Sequence, residues 1–254
     1  MMTNTVRLHG MTLAHIDSAG LLDHIFESLL EQRGGWIITA NLDFVRRYAH
    51  DSIHRTLYDQ ADIRVADGMP LVWASMMKGK ALPERIAGSS LVWELTGRAA
   101  AEGRSLYLLG GDPGMASIAA AKLKRRWPAL EVVGHASPTV SVPPSTDELE
   151  SIRDQLREVR PDILLVAFGS PKQEMLIREL RAVLPNTWMI GVGVTFSFIA
   201  GTLRRAPRWM QIAGVEWLHR LVQEPRRLAA RYLVHDFPFA FRLFARALFE
   251  RFSG

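Results

Sequence analysis

Short apolar runs alternate with longer segments of helical periodicity along most of the chain. Runs rich in β-branched and other apolar residues predict strands at 36–39, 63–66, 106–109, 132–133, 163–166 and 188–191. Between them, apolar residues recur at three- and four-residue spacing, which predicts helices over 42–60, 113–127, 147–159 and 172–183. This alternation is typical of the α/β class. We therefore predict a Rossmann-like, mostly parallel sheet with helices on both faces.

Polar residues and glycines follow several of the predicted strands. In open parallel sheets, ligands bind outside the carboxyl ends of the strands, where the connecting loops meet. The residues placed there are Thr39, Asn41, Asp67, Gly110, Gly111, Gln173 and Gly193. The sequence therefore predicts a ligand site along one edge of the sheet.

Several of these residues allow two interpretations. Asp67 can accept a proton from a sugar hydroxyl, or it can cap the helix that follows. Thr39 and Asn41 have the same capping alternative. Arg85 can clamp a phosphate or form a surface ion pair, and Gln173 can hydrogen-bond a sugar or base or be an exposed helix residue.

The glycine-rich turn over 108–114 predicts a strand, a tight turn and a helix with Pro113 in its first turn. Such a helix start directs free backbone N–H groups toward an anion, although a simple strand-to-helix connection gives the same pattern. The dinucleotide-binding fingerprint G-x-G-x-x-G is absent. Gly191 and Gly193 match its first two glycines, but Phe196 occupies the position of the third. We also find no metal-binding spacing and no hydrolase nucleophile elbow, so no metal or cofactor is predicted.

The positive charge is concentrated at the carboxyl end. The chain has 254 residues, 48% of them hydrophobic, a net charge of +5 and no cysteine, which excludes disulfides and thiolate metal sites. Residues 201–254 hold ten arginines against four acids, so this segment carries +6 and the remainder −1. A localised anionic partner is therefore expected. The beginning of the sequence has the pattern of neither a signal peptide nor a membrane-spanning helix.

The last residues predict a basic amphipathic helix. One face carries Phe241, Phe244, Ala245, Leu248 and Phe252, whereas Arg242, Arg246 and Glu250 line another and Arg251 flanks the apolar stripe. Such a helix can lie on an anionic membrane, or it can pack on its own domain or on a second copy of the chain. Nucleic acid is not expected, because no aromatic-basic motif accompanies the charge. We divide the chain into a core, 1–203, and a C-terminal helical, membrane-associating appendage, 204–254.

A series of short motifs recurs in the same order and spacing as in a known family. They are Thr39-Ala-Asn41, Ala66-Asp-Gly-Met-Pro70, Glu84-Arg-Ile-Ala-Gly-Ser89, Leu108-Leu-Gly-Gly111, Phe168-Gly-Ser-Pro-Lys-Gln-Glu174, Gly191-Val-Gly193, Arg205-Ala-Pro-Arg-Trp209, Glu216-Trp-Leu-His-Arg-Leu221 and Glu224-Pro-Arg-Arg-Leu228. Over nearly the whole chain, the sequence resembles the WecG/TagA/CpsF glycosyltransferases, family 26. The resemblance implies metal-independent, inverting transfer from a UDP-sugar to a polyprenyl-diphosphate-linked acceptor, at the cytoplasmic face of the bacterial inner membrane.

The resemblance also assigns roles to residues. It implies that Asp67 is the general base and that Thr39, Asn41, Arg85 and Gln173 bind donor or substrate. It further implies that the appendage closes over the site, where three arginines neutralise the diphosphate leaving group. These arginines are Arg220, Arg227 and Arg231.

Two positions depart from the family pattern. Ser90 and Ser197 stand where relatives often carry aspartate, so UDP-glucose and UDP-N-acetylmannosamine both remain candidate donors. An NAD(P)-binding oxidoreductase and a non-catalytic membrane-docking module are the competing function classes. The sequence is compatible with a homo-oligomer.

Overall fold

The computed structural model describes residues 4–252 as two β-sheets surrounded by helices. The strands are β1 Thr5–Leu8, β2 Met11–Ala14, β3 Gly35–Ala40, β4 Ile63–Ala66, β5 Ser105–Gly110, β6 Glu131–Ala136, β7 Ile163–Ala167 and β8 Trp188–Gly191. The helices are α1 Ser18–Leu30, α2 Leu42–His50, α3 Ser52–Asp59, α4 Met69–Met77, α5 Gly88–Ala101, α6 Met115–Arg126, α7 Thr146–Val159, α8 Lys172–Arg181, α9 Thr195–Ala200, α10 Arg208–Ile212, α11 Glu216–Gln223, α12 Pro225–Ala229 and α13 Phe237–Phe252. A π-helical segment, Ala230–Asp236, joins α12 to α13.

The main sheet has six strands in the order β4-β3-β8-β7-β5-β6, and all of its paired strands are parallel. Every residue of β3, β7 and β8 is buried, because helices cover both faces of the sheet. Neighbouring side chains such as Leu164 and Leu165 therefore enter separate apolar cores on opposite faces. The predicted α/β fold is confirmed.

Two predicted helices differ from the structure. The helix expected over 42–60 is two helices, because the side chain of Asp51 accepts hydrogen bonds from the N–H groups of Ile53 and His54 and starts a new helix there. The prediction that Pro113 lies in the first turn of its helix is wrong. That helix, α6, starts at Met115, and Gly114 at its N-cap has a left-handed backbone with φ of +80°.

An N-terminal hairpin is present that the apolar pattern did not predict. β1 pairs antiparallel with β2 through a two-residue turn, His9-Gly10, with φ values of +47° and +97°. Two left-handed residues in sequence match the right-handed twist of the hairpin. Leu8 and Met11 on either side of the turn are fully buried.

The segment after residue 203 is helical, as the sequence predicted. α13 packs against α4 through Phe239, Leu243 and Ala247, which are buried in one of the two apolar cores. Most of the predicted apolar stripe lies on a different face, where Phe241 and Phe252 are 62% and 83% exposed, but Phe244 packs against the core. The helix therefore packs on its own domain and still presents an apolar surface. Within residues 4–252, no helix has the length and apolarity needed to cross a membrane.

Candidate functional site

Asp67 follows β4 at the carboxyl edge of the sheet. Its backbone N–H donates to the carbonyl oxygen of Ala40 at 2.7 Å, which fixes the residue beside the end of β3. The N-cap of α4 is Gly68, so the capping interpretation of Asp67 is wrong. The carboxylate instead accepts a long hydrogen bond of 3.3 Å from the N–H of Gly88, at the start of α5.

The environment of Asp67 favours the protonated carboxyl group. Burial raises its pKa to about 7, against the opposing effect of Arg85 and of the Gly88 hydrogen bond, while Glu216 raises it further. The side chain remains partly accessible. A carboxylate that titrates near neutrality can both take up and release a proton, as a general base must.

Arg85 and Arg205 share a carboxylate contributed by the appendage. Glu216 on α11 accepts from Arg85 at 2.9 Å and lies 3.4 Å from the Nε of Arg205. Arg205 also donates to the hydroxyl of Ser90 at 2.9 Å. Arg85 thus forms an ion pair with a partner distant in sequence, but the pair is largely buried and not on the surface. Neither Glu216 nor Arg205 was predicted to have a role, although each begins one of the ordered motifs of the sequence.

Thr39 and Asn41 lie next to Asp67 at the end of β3. A Cβ on Gly88 would come within 3.0 Å of the Thr39 hydroxyl oxygen, so the start of α5 packs directly on this threonine. Thr39 belongs to β3 and caps no helix. Asn41 does cap α2, and its side-chain oxygen also accepts from Arg231 at 3.1 Å. Arg231 is thereby held at the site.

Gln173 connects two of the glycine loops. Its side-chain oxygen accepts from the N–H groups of Gly169 and Gly193, both at 3.1 Å, and its amide nitrogen donates to Glu174. The alternative of an exposed helix residue is wrong, since Gln173 is buried. The amide therefore fixes the loops after β7 and β8 relative to each other.

The glycine turn after β5 lies farther from Asp67. Adjacent strands are about 4.8 Å apart, so the end of β8 is roughly 10 Å from Asp67 and the end of β5 roughly 19 Å. The expected free N–H is not present at Gly111, because it donates to the carbonyl oxygen of Ala167 at 2.7 Å. A Cβ at Gly110 would come within 2.8 Å of the same oxygen, which explains the glycine there. The tight-connection alternative accounts for both residues.

The two remaining predicted arginines pair with one glutamate of the appendage. Glu224 accepts from Arg220 at 2.6 Å and from two nitrogens of Arg227 at 2.7 and 2.8 Å. Arg220 also lies over the ring of Phe198, 5.1 Å from its centre, beside the buried Ser197. Arg220 is largely buried, whereas Arg227 is exposed. Neither arginine contacts Asp67.

The sequence model of the glycosyl transferase WecG/TagA/CpsF family matches residues 6–253, nearly the whole chain. The chain belongs to this family. It is therefore a glycosyltransferase of cell-surface polymer biosynthesis, a class that uses sugar-nucleotide donors and lipid-linked acceptors. The resemblance drawn from the ordered motifs is confirmed.

For a glycosyltransferase, Gln173 offers a first test of the site. Replacing it with methionine removes the acceptor of two partly buried N–H groups, which we expect to lower the free energy of unfolding by about 1–2 kcal/mol. Because Gly193 lies roughly 10 Å from Asp67, loosening its loop should also raise KM for the donor. Urea unfolding and donor kinetics measure both effects. Unchanged values in both would show that the amide does not hold the loops.

Proposed function

We propose that this chain is an inverting, metal-independent hexosyltransferase acting on a UDP-sugar and a polyprenyl-diphosphate-linked saccharide. The observation that carries the proposal is Asp67, a partly buried carboxyl group of raised pKa at the ligand edge of a parallel sheet. Arg85 lies in the same environment. A base beside guanidinium groups suits a reaction in which a hydroxyl loses a proton as a diphosphate departs.

The proposed step has Asp67 as its proton acceptor. Its carboxylate removes the proton from the acceptor hydroxyl, and the oxygen electron pair attacks the anomeric carbon on the face opposite UDP. The bond from that carbon to the diphosphate oxygen breaks, and its electrons leave with UDP. The product glycosidic bond then has the inverted configuration, and the proton stays on Asp67 until it is released to solvent.

Arginine side chains are proposed to neutralise the diphosphate. Arg85 and Arg205 share Glu216, and Arg220 and Arg227 share Glu224, so in each cluster two guanidinium groups have one glutamate between them. An incoming diphosphate can replace a glutamate as the partner, because both present oxygens to a guanidinium fork. Arg231, held by Asn41, is proposed to assist at the same edge. Thr39 and Gln173 are proposed to shape the donor site.

The appendage is proposed to bind an anionic membrane surface, which places the enzyme peripherally on the cytoplasmic face of the inner membrane. Large apolar side chains stay exposed on three of its helices, among them Trp209, Val222 and Phe249. Arginines surround them throughout residues 201–254. Apolar burial in the headgroup region combined with basic charge is the usual basis of such binding.

The function is tested by measuring UDP release from a panel of UDP-sugars with a synthetic polyprenyl-diphosphate-linked sugar as acceptor. We expect acceptor-dependent release with one hexose donor, UDP-glucose and UDP-N-acetylmannosamine being tried first, and an inverted linkage in the product. The same assay with added chelator should give the same rate. NAD(P) binding in the absence of UDP binding would contradict the proposal.

The pH profile of transfer should follow the titration of Asp67. Only the ionised carboxylate can accept a proton, so activity is absent well below pH 7 and rises as pH passes through about 7. An acid limb near pH 4, the usual range of an aspartate, would indicate another base. The measurement is kcat/KM for UDP release between pH 5 and 9.

Glu216 provides a sharper test, because its charge helps to raise the pKa of Asp67. Replacing Glu216 with glutamine should therefore move the acid limb of the profile to lower pH. The matched control is Glu224→Gln, which also removes a carboxylate of α11–α12 paired with two arginines but does not act on Asp67. If both variants shift the limb equally, Asp67 is not the group that titrates.

A further inference from the structure

A basic pocket of about 360 Å³ lies between the turn of the N-terminal hairpin, the end of α2 and α13. The basic side chains on its wall are Arg7, His9, Arg55 and Arg246. This pocket is separate from the Asp67 site. α2 begins at that edge and runs nine residues, so its far end lies about 13 Å away along the helix. The proposed transfer uses none of these four residues.

The pocket has an excess of positive charge. In the part of the chain that the structure describes, neither Arg7 nor Arg55 pairs with a carboxylate, and Arg55 donates only to backbone carbonyl oxygens at the end of α2. Arg246 pairs with Glu250 at 2.7 Å, but Lys78 contacts the same carboxylate at 2.5 Å. The acids at hand therefore do not balance the bases.

His9 adds a nitrogen without a partner. Its Nδ1 is buried and makes no hydrogen bond within residues 4–252. The ring meets Phe239 edge to face at 5.1 Å and lies beside His50. Burial, then the charge of Arg246, lowers the pKa of His9. An anion bound beside Arg246 would oppose the effect of that positive charge on the pKa of His9.

The pocket borders the exposed apolar stripe of α13. At 100° per residue, Arg242 and Arg246 fall on the flank next to Phe249, which is 70% exposed. A bilayer in contact with Phe241, Phe249 and Phe252 would bring its headgroups to the side of the helix on which Arg246 lies. A lipid phosphate is therefore better placed to enter the basic pocket than a phosphate ion from solution.

We propose that the basic pocket binds the phosphate of an anionic phospholipid headgroup. This inference rests on the membrane association included in the proposed function. The pocket orients the enzyme, because a headgroup held between the hairpin and α13 fixes which face of the domain meets the bilayer. Arg7, Arg55 and Arg246 provide the charge, and the ring of His9 forms part of the pocket wall.

The test compares two variants of the full chain that each lose two positive charges. The double variant R7Q/R246Q removes exposed pocket arginines, and the control R125Q/R126Q removes exposed arginines of α6, which packs against α9 and the sheet. Binding is measured by sedimentation with phosphatidylcholine vesicles containing or lacking phosphatidylglycerol. Circular dichroism and thermal unfolding check that both variants fold.

We expect R7Q/R246Q to lower affinity for phosphatidylglycerol vesicles by about tenfold or more, and R125Q/R126Q to lower it by less than about twofold. Equal losses in both variants would attribute binding to net charge and overturn the proposal, as would no loss in R7Q/R246Q. A second arm titrates inorganic phosphate against the wild-type chain and follows the His9 ring by NMR. Binding of inorganic phosphate with unchanged vesicle affinity in R7Q/R246Q would assign the pocket to free phosphate and overturn the headgroup assignment.

The two proposals fail separately. If the wild-type chain releases no UDP with any donor, the proposed transfer is wrong, and the vesicle comparison between the two double variants still decides the pocket. If transfer occurs but the two double variants bind vesicles equally, the pocket assignment alone is wrong.

Discussion

Asp67→Asn is expected to lower kcat for sugar transfer by about 10²–10⁴-fold, the usual contribution of a general base. An amide is nearly the same size as a carboxylate and can still accept the hydrogen bond from Gly88, but it cannot take a proton from the attacking hydroxyl. The measurement is steady-state UDP release at pH 8, where the wild-type carboxyl group is mostly ionised. A fully active variant would remove Asp67 from the mechanism.

Stability separates loss of catalysis from loss of fold. The raised pKa means that ionisation of Asp67 disfavours the folded state, so its contribution to stability is greatest below about pH 4 and is lost as pH rises through about 7. The asparagine variant avoids that loss and should be at least as stable as the wild type at pH 8. The control Asp154→Asn, at an exposed position of α7, should leave both kcat and stability unchanged.

Asp43→Asn is expected to reduce the free energy of unfolding by about 1.5–3 kcal/mol, because it removes the buried carboxylate that three partly buried arginines share. Asp43 is only 2% exposed and lies 2.5 Å from Arg46, 2.9 Å from Arg47 and 3.5 Å from Arg231. These arginines hold its pKa below the usual range despite burial. Urea unfolding measures the loss, and a change under about 1 kcal/mol would show that the cluster is solvated.

The same cluster connects the appendage to the core. Arg231 contacts Asp43 of α2 and Asn41, the N-cap of that helix, as well as Asp236 at the end of the π-helical segment. A double-mutant cycle of Asp43→Asn with Arg231→Met should therefore show coupling of about 0.5–3 kcal/mol. Asp154→Asn is again the control, since its exposed pair with Arg157 should contribute little. Additive losses would mean that Arg231 is not fixed by this contact.

The packing of α13 changes how the appendage can be studied. Its division from the core at residue 204 was predicted from the end of the strand–helix alternation, yet Phe239 and Leu243 are buried in the same apolar core as strands of the main sheet. Truncation at that boundary would expose this core. Point substitutions on the exposed faces of the appendage are therefore the better means of separating membrane binding from catalysis.

The sequence by itself determined the fold class, the strands of the main sheet, the edge on which Asp67 lies and the amphipathic pattern of α13. These features follow from local periodicity. A buried parallel strand needs a continuous apolar run, and the apolar face of a helix needs an apolar residue at about every third or fourth position. Only the tertiary structure decided which charged and polar side chains pair with each other. Glu216 meets Arg85 across 131 residues and Ser90 meets Arg205 across 115, contacts that depend on how the appendage folds back on the core. The burial of Gln173 likewise requires the loop after β8 to lie over α8. Such contacts depend on the relative placement of whole elements, which the spacing of residues along a chain does not specify.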